Sequence, residues 1–291
     1  MWRMHGKQGG GKIASLTPTD LDFVISVATP DAQDKEQLKR FILEDDDFRS
    51  AIVGDDRVFQ QVMTDDEIFL KISPALYFEV LLRRAFKELK AATYTVERAG
   101  RQNIPVFDAP QVVEFLARPD MLDYLAEMLA SFIRVNSYVM PVRVRPGIRR
   151  RVVYSDLDID SLIRLCAAVD EEHRLTFYKR IADACLFVLG VFPESTFYAF
   201  RQPSSTPVPT FSLRKLTRTR EEYEEEGRRF YGLAERHPQA RDLRLSQAFG
   251  YLHEHFVPAT KPLNFIASHY LHSHHHHLFG SLTQQGSPET T

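Results

Sequence analysis

The feature that most constrains the fold of this chain is a helical spacing of apolar residues that returns along most of its length. It is clearest in the stretch SPALYFEVLLRRAFKELKAA, which begins at Ser73. Ser73 can cap a helix, and Pro74 suits the first turn. One apolar stripe follows at helical spacing, formed by Phe78, Leu82, Ala85, Phe86 and Leu89. Glu79 and Arg83 are four residues apart, and we expect them to pair on the exposed face opposite this stripe.

The same spacing predicts a mainly α-helical protein. Further helices are expected over residues 109–117, 119–133, 157–170 and 173–190. Thr219 and Glu222 have the spacing of a capping box and predict the start of another helix. Two more helices are expected near residues 240–256 and from Lys261 into the histidine-rich segment.

Residues 138–154, YVMPVRVRPGIRRRVVY, depart from helical spacing. Valines alternate with arginines, a Pro-Gly pair interrupts them, and a second β-branched run follows. This pattern predicts a small antiparallel β-hairpin. The expected fold is therefore a mainly α multi-helix globular domain with one such hairpin and a C-terminal helical segment.

The predicted hairpin is also the most basic part of the chain. No acidic residue occurs between Met128 and Ser155, and the hairpin carries Arg143, Arg145, Arg149, Arg150 and Arg151. Strict alternation would place Arg143 and Arg145 on one face of the first strand. Guanidinium groups bind carboxylates and phosphates, so these five arginines are the candidate binding surface. An acidic protein partner, a nucleic acid and a solvated face without a partner all remain open, and the aspartates at 45–47, 55–56 and 65–66 are candidate partners within the chain.

The helix–helix–hairpin order over residues 109–154 resembles the outline of a winged-helix module. A recognition helix in such a module lies against DNA phosphates and needs basic side chains. The corresponding segment here, residues 119–133, instead carries Asp120, Asp123 and Glu127. This composition disfavours nucleic-acid binding through that helix.

A short acidic pattern recurs three times before residue 70. The sequences DDDF, DDRVF and DDEIF end at Phe48, Phe59 and Phe69. Acidic residues stabilise helix N-termini. The pattern therefore predicts three short helices. Each has acidic residues at its N-terminus and a phenylalanine directed into the core.

The expected domain organisation has five segments. They are a flexible N-terminus (1–16), a main helical domain with the hairpin (17–200), a Pro/Ser-rich loop or linker (201–217), a C-terminal helical segment (218–279) and a disordered tail (280–291). The C-terminal segment has about 60 residues and would be marginal alone, so we expect it to pack on the main domain.

Composition indicates a soluble cytoplasmic protein. Its 37 basic and 39 acidic residues nearly balance, so no global field attracts nucleic acid or an anionic membrane. Cys166 and Cys185 form no CxxC motif, and we expect both to be core residues. The basic N-terminus is not followed by the apolar run of a signal peptide, and the longest apolar run, Ala184–Phe192, is too short to cross a membrane.

No catalytic constellation is visible in the sequence, and no cofactor is indicated. The segment SHYLHSHHHHLF places His269, His272 and His276 on one face of a predicted helix, where they could bind zinc or another divalent transition metal. The leading hypothesis is a non-catalytic intracellular protein-interaction or regulatory protein. The alternatives are a nucleic-acid-associated protein that uses the hairpin arginines and a metal-dependent helical enzyme that uses the C-terminal histidines.

Overall fold

The structure is a computed structural model, and it describes residues 16–99, 102–133, 137–145, 148–155, 157–193 and 218–271. The first six helices are α1 (Pro18–Ala28), α2 (Lys35–Glu44), α3 (Asp46–Val53), α4 (Asp56–Thr64), α5 (Ile68–Lys71) and α6 (Pro74–Ala91). Next come β1 (Thr95–Ala99), β2 (Gln102–Val106), α7 (Ala109–Leu116), α8 (Pro119–Ser131), β3 (Ser137–Arg145) and β4 (Ile148–Ser155). The remaining α-helices are α9 (Ile159–Ala167), α10 (Leu175–Val191), α11 (Arg220–Arg236), α12 (Pro238–Asp242), α13 (Ser246–Glu254) and α14 (Phe256–His269). Within the described ranges, no helix combines the length and the apolar character that crossing a membrane requires.

The mainly helical fold, the hairpin within residues 138–154 and the helical C-terminal segment are confirmed. Several helix boundaries differ from prediction; the helix expected over 157–170, for example, spans Ile159–Ala167. The helix expected over 240–256 is divided into α12 and α13, because Arg244 lies between them with a positive φ of 57° that interrupts helical geometry. The last helix begins at Phe256 and not at Lys261. Pro258 falls in its first turn, where a helix does not need the missing backbone N–H.

The three acidic stretches open three short helices, as predicted. Asp45 and Asp55 are the N-caps of α3 and α4, and the carboxylate of each accepts a backbone N–H from the first turn. Asp65 accepts the backbone N–H of Glu67 just before α5. The three phenylalanines of the pattern are partly buried against the core: Phe48, Phe59 and Phe69.

Helices α6 and α10 are central to the packing. Helix α6 packs against α3, α4, α7, α8 and α14, while α10 packs against α8, α9, α11 and α14. Residues 76–82 of α6 and 181–191 of α10 are all buried. The ring of Phe132, at the end of α8, stacks on that of Phe187 in α10 with the centroids 4.4 Å apart. Over these stretches, both helices therefore expose little or no surface to solvent.

The C-terminal helices pack directly on α10 through small residues. A Cβ atom built on Gly190 of α10 would lie 2.5 Å from Cδ1 of Leu263 in α14. One built on Gly227 of α11 would lie 2.3 Å from Cζ of Phe256. Glycine thus allows the close approach of α14 to both helices. Residues from Leu16 to Leu271 contribute to one hydrophobic core.

Strands β1 and β2 form a second antiparallel hairpin, which the sequence pattern did not predict. Thr95 pairs with Val106 at its base. The buried Thr95 hydroxyl donates a hydrogen bond to Asp108, whose carboxylate lies 3.0 Å from Nζ of Lys261 in α14. The contacts of Thr95 and Asp108 connect this hairpin to α14. They join residues that are distant in sequence, so a local sequence pattern does not reveal them.

Candidate functional site

Hairpin β3–β4 carries the five arginines that the sequence singled out. Its pairing begins at Ser137–Ser155, and the next rungs are apolar: Tyr138–Tyr154, Val139–Val153 and Met140–Val152. The outer rungs are Pro141–Arg151, Val142–Arg150, Arg143–Arg149 and Arg145–Ile148. The hairpin sequence is therefore apolar at its base and cationic at its outer end. We call Arg143, Arg145, Arg149, Arg150 and Arg151 the arginine tip.

The register places like charges opposite each other in the arginine tip. Arg143 is the direct cross-strand partner of Arg149. Like charges in direct opposition destabilise a strand pair. A bound anion would reduce this repulsion.

The strict alternation expected along β3 is interrupted within the tip. Arg143 pairs with Arg149 and Arg145 with Ile148, which leaves Val144 as an extra residue in β3. Such a bulge bends the strand and increases its twist. The prediction that Arg143 and Arg145 share a face depended on an unbroken strand, so it does not follow from this register.

The arginine tip lies at the end of the hairpin farthest from its chain connections. Strand β4 contacts α9, the helix that follows it in the chain. The nine residues of β3 span about 30 Å at roughly 3.3 Å per residue. The outer rungs of the hairpin are thus far from its base.

Several aspartates that were candidate partners within the chain are paired with other residues. The pairs join helices α4 to α6 and their flanks: Asp55–Arg57, Asp56–Arg84, Asp56–Lys87 and Asp65–Lys71. The hydrogen bond from Lys87 holds the pKa of Asp56 below its ordinary value, and Lys71 does the same for Asp65. Asp55, Asp56 and Asp65 therefore have cationic partners close to them in the helical body.

Of the three histidines predicted to bind a metal ion, only His269 lies within the described residues. His269 ends α14, and its ring stacks on that of Phe265 with the centroids 4.1 Å apart. Its Nδ1 lies 2.9 Å from the carbonyl oxygen of Phe265. His272 and His276 lie outside the described residues, so binding of zinc or another divalent metal there stays a prediction. Among the residues that are described, no group of three or more His, Cys, Asp or Glu side chains is placed to hold a metal ion.

Helix α6 contains a buried ion pair that the sequence pattern placed on the surface. Glu79 and Arg83 do pair, at 2.7 Å, but the Glu79 side chain is only 1% exposed. Glu79 also accepts hydrogen bonds from Nε and Nη2 of Arg49, at 2.9 and 2.6 Å. The prediction of an exposed pair was wrong, because neighbouring helices cover α6 on every side over residues 76–82.

This pair belongs to a larger group of charged residues along α8. We call it the buried charge cluster, and its members are Arg49, Glu79, Arg83, Asp123, Glu127, Lys179 and Asp183. Burial raises the pKa of Asp123 to about 6, and Arg49 offsets this only in part. Burial acts in the same direction on Glu79, but Arg83 and Arg49 outweigh it and hold the pKa of Glu79 below its ordinary value.

Asp183 joins three helices at the other end of the cluster. Its Oδ1 accepts hydrogen bonds from the hydroxyl groups of Tyr124 in α8, at 2.6 Å, and Tyr231 in α11, at 2.8 Å. Lys179 of α10 binds its other oxygen. Both tyrosines are buried. The contacts hold α8, α10 and α11 together, and residues 121–126 of α8 are all buried. Most of α8 therefore lies in the core, whereas a recognition helix would need to be exposed.

Both cysteines are buried in the core and unpaired, as expected from their apolar spacing. Burial raises the pKa of the Cys166 and Cys185 thiols. A raised pKa keeps a thiol protonated and poorly nucleophilic. Neither cysteine therefore has the surroundings of a catalytic nucleophile.

Comparison of the chain with family models, curated proteins and solved structures found no match. The choice between candidate sites therefore depends on the residues of this chain. Carboxylates of the buried charge cluster bind side chains of neighbouring helices, whereas the arginine tip concentrates five cationic residues at the outer end of a hairpin. The arginine tip is the candidate site that these observations favour.

Proposed function

We propose that this protein is a non-catalytic, cytoplasmic interaction or regulatory protein whose arginine tip binds an acidic surface of a partner protein. The observation that carries the proposal is the register that sets Arg143 opposite Arg149 at the outer end of the hairpin. Repulsion between like charges at such a position destabilises a free hairpin. Carboxylates of a partner would relieve it, and arginine can bind them through paired hydrogen bonds.

Two observations favour a protein partner over a nucleic acid. The net charge of the chain is −2, so electrostatic attraction to a polyanion is limited to local patches. Helix α8 is largely buried and carries acidic residues, which argues against a winged-helix mode of DNA binding. Nucleic acid is the second candidate, because a two-stranded ribbon with arginines has a shape that the major groove of DNA admits.

The non-catalytic part of the proposal is supported by the way buried ionisable groups are used. Glu79 and Asp183 each bind side chains from neighbouring helices, an arrangement that serves packing. Perturbed pKa values mark active sites in many enzymes, but structural ion-pair networks produce them too. The two unpaired cysteines are in keeping with a reducing cytoplasmic environment.

Binding of two defined probes tests the proposal. The full chain, the triple variant Arg149→Gln, Arg150→Gln and Arg151→Gln, and a control triple variant are titrated against labelled poly-L-glutamate and labelled double-stranded DNA. The control is Arg40→Gln, Arg236→Gln and Arg241→Gln, which removes the same charge from exposed helical positions. Fluorescence anisotropy gives each Kd, and far-UV circular dichroism checks folding.

We expect the tip variant to bind poly-L-glutamate about tenfold more weakly, since three surface ion pairs at roughly 0.5 kcal/mol each amount to about one factor of ten. The control should bind like the natural chain. Loss of DNA binding alone, with a reduced salt dependence, would support the second candidate. Equal affinities of all three proteins for both probes would overturn both assignments.

A further inference from the structure

The buried charge cluster contains more carboxyl groups than cations. Its cations are Arg49, Arg83 and Lys179, and its carboxyl groups are those of Glu79, Asp123, Glu127 and Asp183. With every group ionised, three positive and four negative charges give a net charge of −1. Exposed Asp46 adds another negative charge near Arg49. Net charge is costly where neighbouring helices exclude water.

Asp123 is the buried carboxyl group with the longest ion pair in the cluster. Arg49 Nη2 lies 2.6 Å from Glu79 Oε2 but 3.5 Å from Asp123 Oδ1. Arg83 also directs its guanidinium to Glu79. The Asp123 side chain is 12% exposed, so little water is available to stabilise its charge.

We propose that the cluster binds one proton on Asp123 under mildly acidic conditions, and that this proton strengthens the packing of α3 and α6 against α8. The charged groups that act on Asp123 come from two neighbouring helices: Asp46 and Arg49 from α3, and Glu79 and Arg83 from α6. Glu127 of α8 and Lys179 of α10 belong to the same cluster and interact with each other. A proton on Asp123 removes one unit of the excess negative charge and leaves both Glu79 ion pairs intact. The fold thereby gains a stability that responds to pH.

The direction of this response follows from proton binding. The buried Asp123 has a pKa of about 6 against 3.8 for an ordinary aspartate, so the native state holds more protons than the unfolded chain between these values. Folding is then favoured as the pH falls through this range. The contribution of Asp123 to the unfolding constant should rise by up to about tenfold for each unit of pH increase there.

Urea unfolding at pH 5, 6 and 7 tests the proposal with the natural chain, Asp123→Asn and the control Asp120→Asn. Asparagine resembles protonated aspartate in shape and has no charge to titrate. Asp120 lies on the same helix, but its side chain is 38% exposed and pairs with Arg118. All other ionisable groups are common to the proteins being compared, so the informative quantity is the ratio of unfolding constants between the natural chain and each variant.

We expect the ratio of the natural chain to Asp123→Asn to rise about tenfold from pH 5 to pH 7. The ratio to Asp120→Asn should stay constant. A constant ratio for Asp123→Asn would overturn the proposal. If that variant does not fold, a carbon-13 NMR titration of the aspartate carboxyl groups in the natural chain decides the matter: one midpoint near pH 6 supports the proposal, and ordinary midpoints for all aspartates contradict it.

Discussion

Substitution of Glu79 by glutamine should be among the most destabilising changes of a single charge in this protein. The carboxylate of Glu79 accepts four hydrogen bonds, two from Arg49 and two from Arg83, at 2.6 to 2.9 Å. Glutamine keeps the shape of the side chain but offers one acceptor oxygen and turns an NH₂ group towards guanidinium donors. Arg49, which is 2% exposed, would lose the carboxylate that binds its Nε and Nη2.

The size of the effect follows from this burial. Breaking one side of a buried ion pair costs about 3–5 kcal/mol, because the remaining charge stays in the interior without compensation. Glu88→Gln is the matched control, since Glu88 also pairs with an arginine at i,i+4 spacing on α6 but is 35% exposed. Exposed pairs of this kind contribute roughly 0.3–0.5 kcal/mol.

Urea denaturation followed by far-UV circular dichroism measures both free energies of unfolding. We expect a lower midpoint for Glu79→Gln and an unchanged slope, because a change in stability alone leaves the slope as it was. Similar losses for Glu79→Gln and Glu88→Gln would refute the reasoning, since burial would then not distinguish the two pairs.

Two further predictions concern the C-terminal helices. Gly227→Ala should lower the free energy of unfolding by about 1–3 kcal/mol, because the added Cβ overlaps the ring of Phe256. Thermal unfolding measures this loss, and an unchanged Tm would argue against close packing of α11 on α14. Thr219→Ala should cost about 1 kcal/mol, because it removes the hydroxyl that accepts the N–H of Glu222 at 3.1 Å. Thr219→Ser should restore most of that stability in the same assay, and equal losses in both variants would argue against the cap.

Helical spacing predicted the buried stripe of α6 but not the surroundings of its opposite face. The pattern correctly assigned Phe78, Leu82 and Leu89 to the core. It placed Glu79 in solvent because a charged residue opposite an apolar stripe usually faces water. Arg49 lies thirty residues away in sequence and supplies the charge that makes burial of Glu79 tolerable. Such a partner is visible only in the tertiary structure.

Hairpins show the same limit of local patterns. The Pro-Gly pair and the flanking valines were sufficient to predict β3–β4, whereas the bulge at Val144 had no clear signal in the sequence. Strands β1 and β2 were missed although a glycine separates two short β-branched runs. Each strand has only five residues, and the position of Thr95 depends on Asp108.

The most direct test of the central proposal is capture of a partner protein from native cytoplasmic extract. The natural chain, the Arg149→Gln, Arg150→Gln and Arg151→Gln variant, and the Arg40→Gln, Arg236→Gln and Arg241→Gln control serve as baits after nuclease treatment, and bound proteins are quantified by mass spectrometry. We predict an acidic protein that is retained by the natural chain and the control but lost from the tip variant. Recovery of the same proteins in equal amounts with all three baits would contradict the proposal that the arginine tip is the binding surface.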